Sequence, residues 1–396
     1  MNRGEDLRAL FQTWRTRIEA LIREHPLQII SWEATRRCNL RCLHCGSPGE
    51  EVSSSDELST DEVVGAFDEI ARDFDMDRFR HINITGGEPF VRRDLLDVLR
   101  AISHWPFYRN IDIQTNGVFL SDNPGVLEEL SSLGVTGLGI SIDGFESSHD
   151  SLRGQPGTWA KATDAARLAV DAGYVVTVSF VAHSKNIHEL PAFHRFAKQE
   201  IRPRVFRVMI IDKQGRAQGN SDLYPTANQV REVIGFLRQE YERSCSNYSD
   251  SSVTMVELGC GGWMGPELEG RLRPFVFHCI AGLNNLGVLF DGKLSSCSNI
   301  SRSFVQGDLR RERIKDVWEG RYEPFRRAEW KKTGPCAQCE EWSFCHGGPM
   351  HKRCLSGTID RCLYLDSRVS TCHSSAPDLV STRRGDTIPF NLGVRQ

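Results

Sequence analysis

The 396-residue sequence has no run of roughly 18 apolar residues, so nothing in it reads as a membrane-spanning helix. Its first stretch, MNRGEDLRALFQTWRTRIEALIREH, lacks both an apolar core and a small-residue cleavage site, so no secretory signal is visible. A surplus of charge is missing too. The formal net charge of −3 gives no electrostatic case for a nucleic-acid or membrane partner. Internal repeats and low-complexity tracts are absent, which sets aside solenoids and fibrous chains. Hydrophobic residues at 39% and charged residues at 26% are ordinary for a globular protein, and the length allows two or three domains. What the sequence has in excess is cysteine, 13 of them. An odd count without a signal points to a reducing, cytoplasmic setting where thiolates bind metal rather than pair as disulfides.

Asp6 to about Glu24 places Leu7, Leu10, Phe11, Trp14, Ile18 and Leu21 at helical spacing, predicting an amphipathic helix within an N-terminal segment 1–29. From Leu27 to Asp212, six apolar runs rich in Ile and Val (27–35, 81–85, 110–116, 137–143, 174–182 and 205–212) alternate with helical patterns. They read as parallel strands buried on both faces. Ser59-Thr60-Asp61-Glu62 opens one helix as a capping box, Pro124 starts another, and Gly173 caps a third. Six units fall short of the eight of a closed barrel. The predicted fold class is therefore α/β, a partial (β/α)6 barrel over 30–243 with its site at the C-terminal strand ends. The Ser-rich stretch 244–259 reads as a linker. Residues 260–373 carry nine cysteines among frequent glycines, a small loop-rich domain that needs metal as a staple. A polar tail, 374–396, follows.

Directly after the first predicted strand, Cys38, Cys42 and Cys45 form C-x3-C-x2-C. Three thiolates on one loop can hold a corner of an iron–sulfur cubane and leave one iron open. A zinc loop or inert thiols are the competing reading, though zinc normally wants a fourth protein ligand. The loop RCNLRCLHC resembles the signature of the radical S-adenosylmethionine (radical SAM) superfamily. The resemblance continues at the strand ends: Gly86-Gly87-Glu88-Pro89, Gln114-Thr115-Asn116-Gly117, Ser141-Ile142-Asp143-Gly144, then His149-Asp150 and Leu152-Arg153-Gly154. It covers residues 30 to about 212 and falls at the catalytic rim each time. It implies a [4Fe-4S] cluster on Cys38, Cys42 and Cys45, chelated by the amino and carboxylate groups of SAM. One electron would then cleave SAM to a 5′-deoxyadenosyl radical that takes hydrogen from an unactivated C–H bond. Gly86 and Gly87 would let the backbone approach the cofactor, and Glu88 would accept from its amino group. Ser141 and Asp143, with Asn116, would face the ribose, and Arg153 would hold the carboxylate. Loop-capping is the alternative role for these last four.

Further on, Cys279-x12-Gly292-x4-Cys297 and then Cys336-x2-Cys339-x5-Cys345 resemble the SPASM domain, an auxiliary iron–sulfur module. Asp291-Gly292 reads as a hairpin turn that brings Cys279 and Cys297 together. The family's next cysteine is replaced by Pro349, in His346-Gly347-Gly348-Pro349-Met350-His351. The family's crossed order implies Cys260, Cys279, Cys297 and Cys354 for one auxiliary [4Fe-4S] cluster. Cys336, Cys339, Cys345 and Cys362 would hold a second, leaving Cys245 and Cys372 over. On the residues alone Cys354, Cys362 and Cys372 are interchangeable. One auxiliary cluster, an open iron, or a His351 ligand are alternatives. Leu43, His44, Trp263 and Trp342 read as packing or shielding.

Enzymes of this kind modify ribosomally made peptides or carbohydrate and aminocyclitol natural products. About 30 residues precede the first strand, too few for a leader-peptide domain, which tilts the expectation to a small polyhydroxylated substrate that is dehydrogenated or epimerised. A peptide crosslink or epimerisation is the second reading, and a non-catalytic zinc- or cluster-binding module the third. Dehydrogenation needs an electron sink, and epimerisation a hydrogen donor; Cys245 and Cys372 are candidates for the donor only by subtraction. An electron donor such as flavodoxin or ferredoxin is the expected protein partner.

Overall fold

Branched and aromatic residues at every second position make the apolar runs strands. Ile30, Trp32 and Ala34 are buried on one side of β1 (Ile29–Thr35), Ile82 and Ile84 on β2 (His81–Gly86), Ile111 and Ile113 on β3 (Ile111–Thr115). This side packs on helices: Trp32 meets Phe67 of the helix Thr60–Asp73 edge-on, ring centroids 6.0 Å apart. That helix opens with the expected capping box, Ser59 Oγ accepting from Glu62 N and Glu62 Oε2 accepting from Ser59 N at 2.8 Å. The helix expected from Pro124 begins two residues later, at Val126. Gly173 closes the helix Thr158–Asp171 with φ +86°, the left-handed geometry of a C-terminal cap.

The computed structural model describes residues 3–46, 56–244, 253–273 and 275–368. Continuing in chain order are β4 (Val135–Ser141), β5 (Val175–Ala182), β6 (Val205–Ile210), β7 (Met255–Leu258), β8 (Asn285–Val288), β9 (Lys293–Ser295) and β10 (Gly307–Asp308). They form one ten-stranded sheet in the order β10-β9-β8-β1-β2-β3-β4-β5-β6-β7. The strands from β1 to β6 run parallel and adjacent, the partial (β/α)6 barrel expected.

Two expectations are corrected. The stretch read as a linker contains β7, a further strand parallel to β6. The strands are also not apolar on both faces. Ser141, Ser179, Arg207 and Glu257 are register partners across β4, β5, β6 and β7, and Gln114 Nε2 donates to Asn83 Oδ1 at 3.2 Å between β3 and β2. The inner face is thus polar, as a ligand-holding barrel requires, and the alternation in HINIT and NIDIQ already carried that pattern.

The cysteine-rich region does not form a separate sheet. β8 pairs with β1 in parallel, and β9 returns antiparallel through a turn with Gly292 at φ +81°, the hairpin read from Asp291-Gly292. The N-terminal helix, Arg3–Glu24, lies on this region: Phe11, Trp14 and Ile18 bury themselves against Trp263, Val276 and Phe344.

Candidate cluster and cofactor site

β1 ends at Thr35 and delivers Cys38, Cys42 and Cys45 on the loop that follows. Backbone and side-chain hydrogen bonds to other rim segments hold this loop. Leu43 N donates to Leu152 O at 2.8 Å, Arg216 N to Cys45 O at 2.9 Å, and Asn116 Nδ2 to Asn39 Oδ1 at 2.7 Å. The Gly86-Gly87-Glu88 turn fits beneath it. A Cβ on Gly87 would lie 2.2 Å from Arg37 O, and one on Gly86 2.3 Å from Thr35 O. Both glycines are thus demanded by the chain's own backbone at the root of the cysteine loop, a reason the sequence did not show.

Glu88 is 1% exposed. Its carboxylate accepts from Thr115 Oγ1 at 2.7 Å and from Asn116 N at 2.8 Å, and has no ion pair among the described residues. Burial pushes its pKa up to about 7 against these bonds. Arg153 is the cation that acts on it from a distance, and the field of Glu88 itself reaches Cys38.

Asp143 and Arg153 differ from what the resemblance implied. Arg153 Nη2 and Nε grip Asp143 Oδ2 at 2.6 and 2.8 Å, and Val181 N donates to Oδ1 at 2.9 Å. Asp143 is wholly buried, and both its oxygens are taken by Arg153 and Val181. Burial alone would raise its pKa, but Arg153, then His44 and His149, hold it at about 2. Arg153 Nη1 also points at Cys42 Sγ, 3.7 Å away. The pair therefore braces the cysteine loop and sets a positive charge beside one sulfur. His44, 3.8 Å from Asp143, is kept neutral by burial, with a pKa of about 3. Ser141 stays half-buried on the inner face, and Asn116, 7% exposed, ties three rim segments together.

The remaining cysteines fall into two groups. Cys260, just past β7, lies within electrostatic reach of Cys279 and Cys297, which flank the β8–β9 hairpin. Cys345 is likewise close to Cys336, Cys339 and Cys362. Burial drives Cys297 up to about 11 and Cys345 up to about 12, so these thiols ionise at neutral pH only when a metal displaces the proton. Buried cations stand by: Arg353 Nη2 donates to Cys336 Sγ at 3.0 Å, Lys331 faces Cys279 and Cys345, and Lys352 and Arg273 face Cys260. Sequence reasoning missed all four, because no motif marks them.

Cys354 is not drawn into either group by the contacts of its thiol. Cys354 is exposed, its Sγ 2.7 Å from Thr358 Oγ1 and 2.9 Å from Ser356 Oγ; those hydroxyls lower its pKa to about 7. The chain around it turns back on itself, with Arg353 paired to Ile359. Cys245 and Cys372 lie outside the described residues. Trp263 does pack, stacking on Phe344 at 5.4 Å. Among the described residues no three His, Cys, Asp or Glu side chains converge on a single-ion point, which a mononuclear zinc site requires and the corners of a cubane do not.

Residues 32–197 match the family model of the Radical SAM superfamily, and 279–340 that of an iron–sulfur cluster-binding (SPASM) domain. Fe-coproporphyrin III synthase of Methanosarcina barkeri is 24% identical over 81% of this chain and 82% of its own. Mycofactocin maturase MftC of Mycolicibacterium smegmatis is 29% identical over 83% of this chain and 79% of its own. Among solved structures, native anSMEcpe with bound AdoMet and a Cp18Cys peptide superposes with TM-score 0.62 at 17% identity, covering 86% of this chain and 94% of that one.

Proposed function

The chain is a radical SAM enzyme with a C-terminal SPASM domain, and on that footing we propose that it modifies a peptide at an unactivated C–H bond. Cys38, Cys42 and Cys45 would hold the SAM-binding [4Fe-4S] cluster. That assembly supplies a 5′-deoxyadenosyl radical for hydrogen abstraction. The observation that carries the substrate reading is the inner face of the barrel. Its rim row carries the half-buried Ser141 hydroxyl with the buried Ser179 beside it, and its cation, Arg207, is already paired with Glu257 at 2.6 Å. Neutral hydrogen-bonding groups beside a self-neutralised pair suit peptide amides. A substrate bearing several carboxylates, such as a tetrapyrrole, calls for unpaired cations. The similarity to a peptide maturase over four-fifths of the chain supports the same reading, and favours it over the polyhydroxylated substrate.

The test uses protein reconstituted anaerobically with iron and sulfide, SAM and a low-potential reductant. Synthetic peptides encoded beside the gene should stimulate 5′-deoxyadenosine formation and change in mass. Turnover of an aminocyclitol or of iron-coproporphyrin, with the peptides inert, would sink the proposal. A flavodoxin or ferredoxin is the proposed reductant, and the unpaired state of the described cysteines suits a reducing, cytoplasmic compartment.

Glu88 is the proposed hydrogen-bond acceptor for the N–H groups of the SAM amino group. Because its folded pKa of about 7 lies above the ordinary carboxylate value, the folded apoprotein keeps a proton here that the unfolded chain releases. The group therefore costs stability as pH rises towards about 7, and N–H donors from an iron-bound amine, which favour the ionised carboxylate, offset that cost. SAM affinity should strengthen between roughly pH 6 and 8 in the wild type. Glu88→Gln should weaken binding about 10- to 100-fold and flatten that pH dependence, as read by calorimetric titration of cluster-loaded protein. An unchanged affinity with the pH slope intact removes Glu88 from the role.

A further inference from the structure

The cysteine set behind β7 and the β8–β9 hairpin is one thiolate short. Cys260, Cys279 and Cys297 come together, Pro349 stands where the family's next cysteine falls, and the Cys354 thiol sits against the Ser356 and Thr358 hydroxyls. The segment after Pro349 nevertheless reaches this set. Met350 N donates to Cys279 Sγ at 3.5 Å, and in the short helical turn Met350–Lys352 the next residue puts its ring against the third thiol: His351 Nδ1 is 3.9 Å from Cys260 Sγ. The ring is not free to turn. Its Nε2 sits 3.1 Å from Asp212 Oδ2, the other oxygen of Asp212 holds Lys352 Nζ at 2.7 Å, and the Gln214 side-chain amide donates to the His351 carbonyl.

We propose that His351 is the fourth protein ligand of the first auxiliary iron–sulfur cluster, binding iron through Nδ1 beside Cys260, Cys279 and Cys297. The inference rests on the iron–sulfur reading of this domain and names the ligand that reading leaves out. A carboxylate on the distal nitrogen is the usual outer partner of a metal-bound imidazole: it fixes the tautomer that leaves the other nitrogen a lone pair. Here Asp212 supplies it from the segment after β6, so the barrel orients a ligand of the cysteine-rich domain. Exchange of thiolate for neutral imidazole removes one negative charge from the cluster, which raises its reduction potential. The neighbouring Lys352 and Arg273 act in the same direction. Such a cluster accepts an electron more readily than its four-thiolate companion on Cys336, Cys339, Cys345 and Cys362.

The experiment uses full-length reconstituted protein reduced for pulsed electron paramagnetic resonance, as wild type, His351→Ala and His351→Cys. Wild type should show nitrogen hyperfine coupling that changes isotope pattern when only histidine carries nitrogen-15. His351→Ala should lose the coupling. His351→Cys should lose it with iron content kept, and one cluster should reduce at a lower potential than in wild type. About twelve irons per chain without histidine coupling, or coupling that survives in His351→Ala, overturns the ligand assignment alone. About eight irons in the wild type, with none assignable to Cys260, Cys279 and Cys297, overturns the cluster reading of this set together with it.

Discussion

With Cys38, Cys42 and Cys45 all replaced by alanine, the reconstituted protein is expected to carry about four fewer irons per chain and to form no 5′-deoxyadenosine above background. Among the described residues of their loop the three sulfurs are the donors suited to iron: the nearby Arg153 cannot bind it, and His44 is turned to Asp143. The fold should survive, because backbone bonds such as Leu43 N to Leu152 O and Arg216 N to Cys45 O hold the loop without sulfur. Circular dichroism and the remaining auxiliary iron provide that control. Cleavage of SAM at an undiminished rate in this variant would remove the basis of the functional reading.

Asp143→Asn should produce the largest loss of stability for a single substitution, about 3–5 kcal/mol, because it strands the buried Arg153 guanidinium without its partner. The anion to be replaced is fully buried and accepts from Arg153 and Val181 at once. Its contribution also has a defined pH window. The folded pKa of about 2 lies below the unfolded value, so the stabilisation is complete above the ordinary carboxylate range and is lost as pH falls towards 2. Denaturant midpoints of wild type and variant at neutral pH measure the effect, and coincident midpoints refute it. Arg153→Met added to an Asp143→Leu background should recover much of the loss, since neither charge then remains.

What the sequence made legible is what backbone spacing and loop chemistry dictate. Ile and Val periodicity located the six barrel strands, and turn chemistry located the Gly173 cap and the Asp291-Gly292 hairpin. Cysteine spacing located the rim loop. Pairings between distant segments left no local trace. The Asp143–Arg153 pair looked like two cofactor contacts, since a motif gives residue types but not where their hydrogen bonds end. Asp212 could not be tied to His351, 139 residues away. Met255–Leu258 was hidden because a strand of four residues is too short to show a periodicity, although Met255, Val256 and Leu258 are buried. Cys354 was placed by counting sulfurs, whereas the reversal around Arg353 and Ile359 decides where its side chain goes.

β7 and β8 close the barrel's two flanks by hydrogen-bonding to β6 and β1. A chain stopped before residue 253 would leave both flanks as bare rows of amide and carbonyl groups, open to any extended segment of another molecule. Solubility of the SAM-binding half therefore depends on the very stretch that brings the extra metal. Exchange of one ligand in an auxiliary centre leaves both flanks covered, whereas loss of the region that carries those ligands uncovers them.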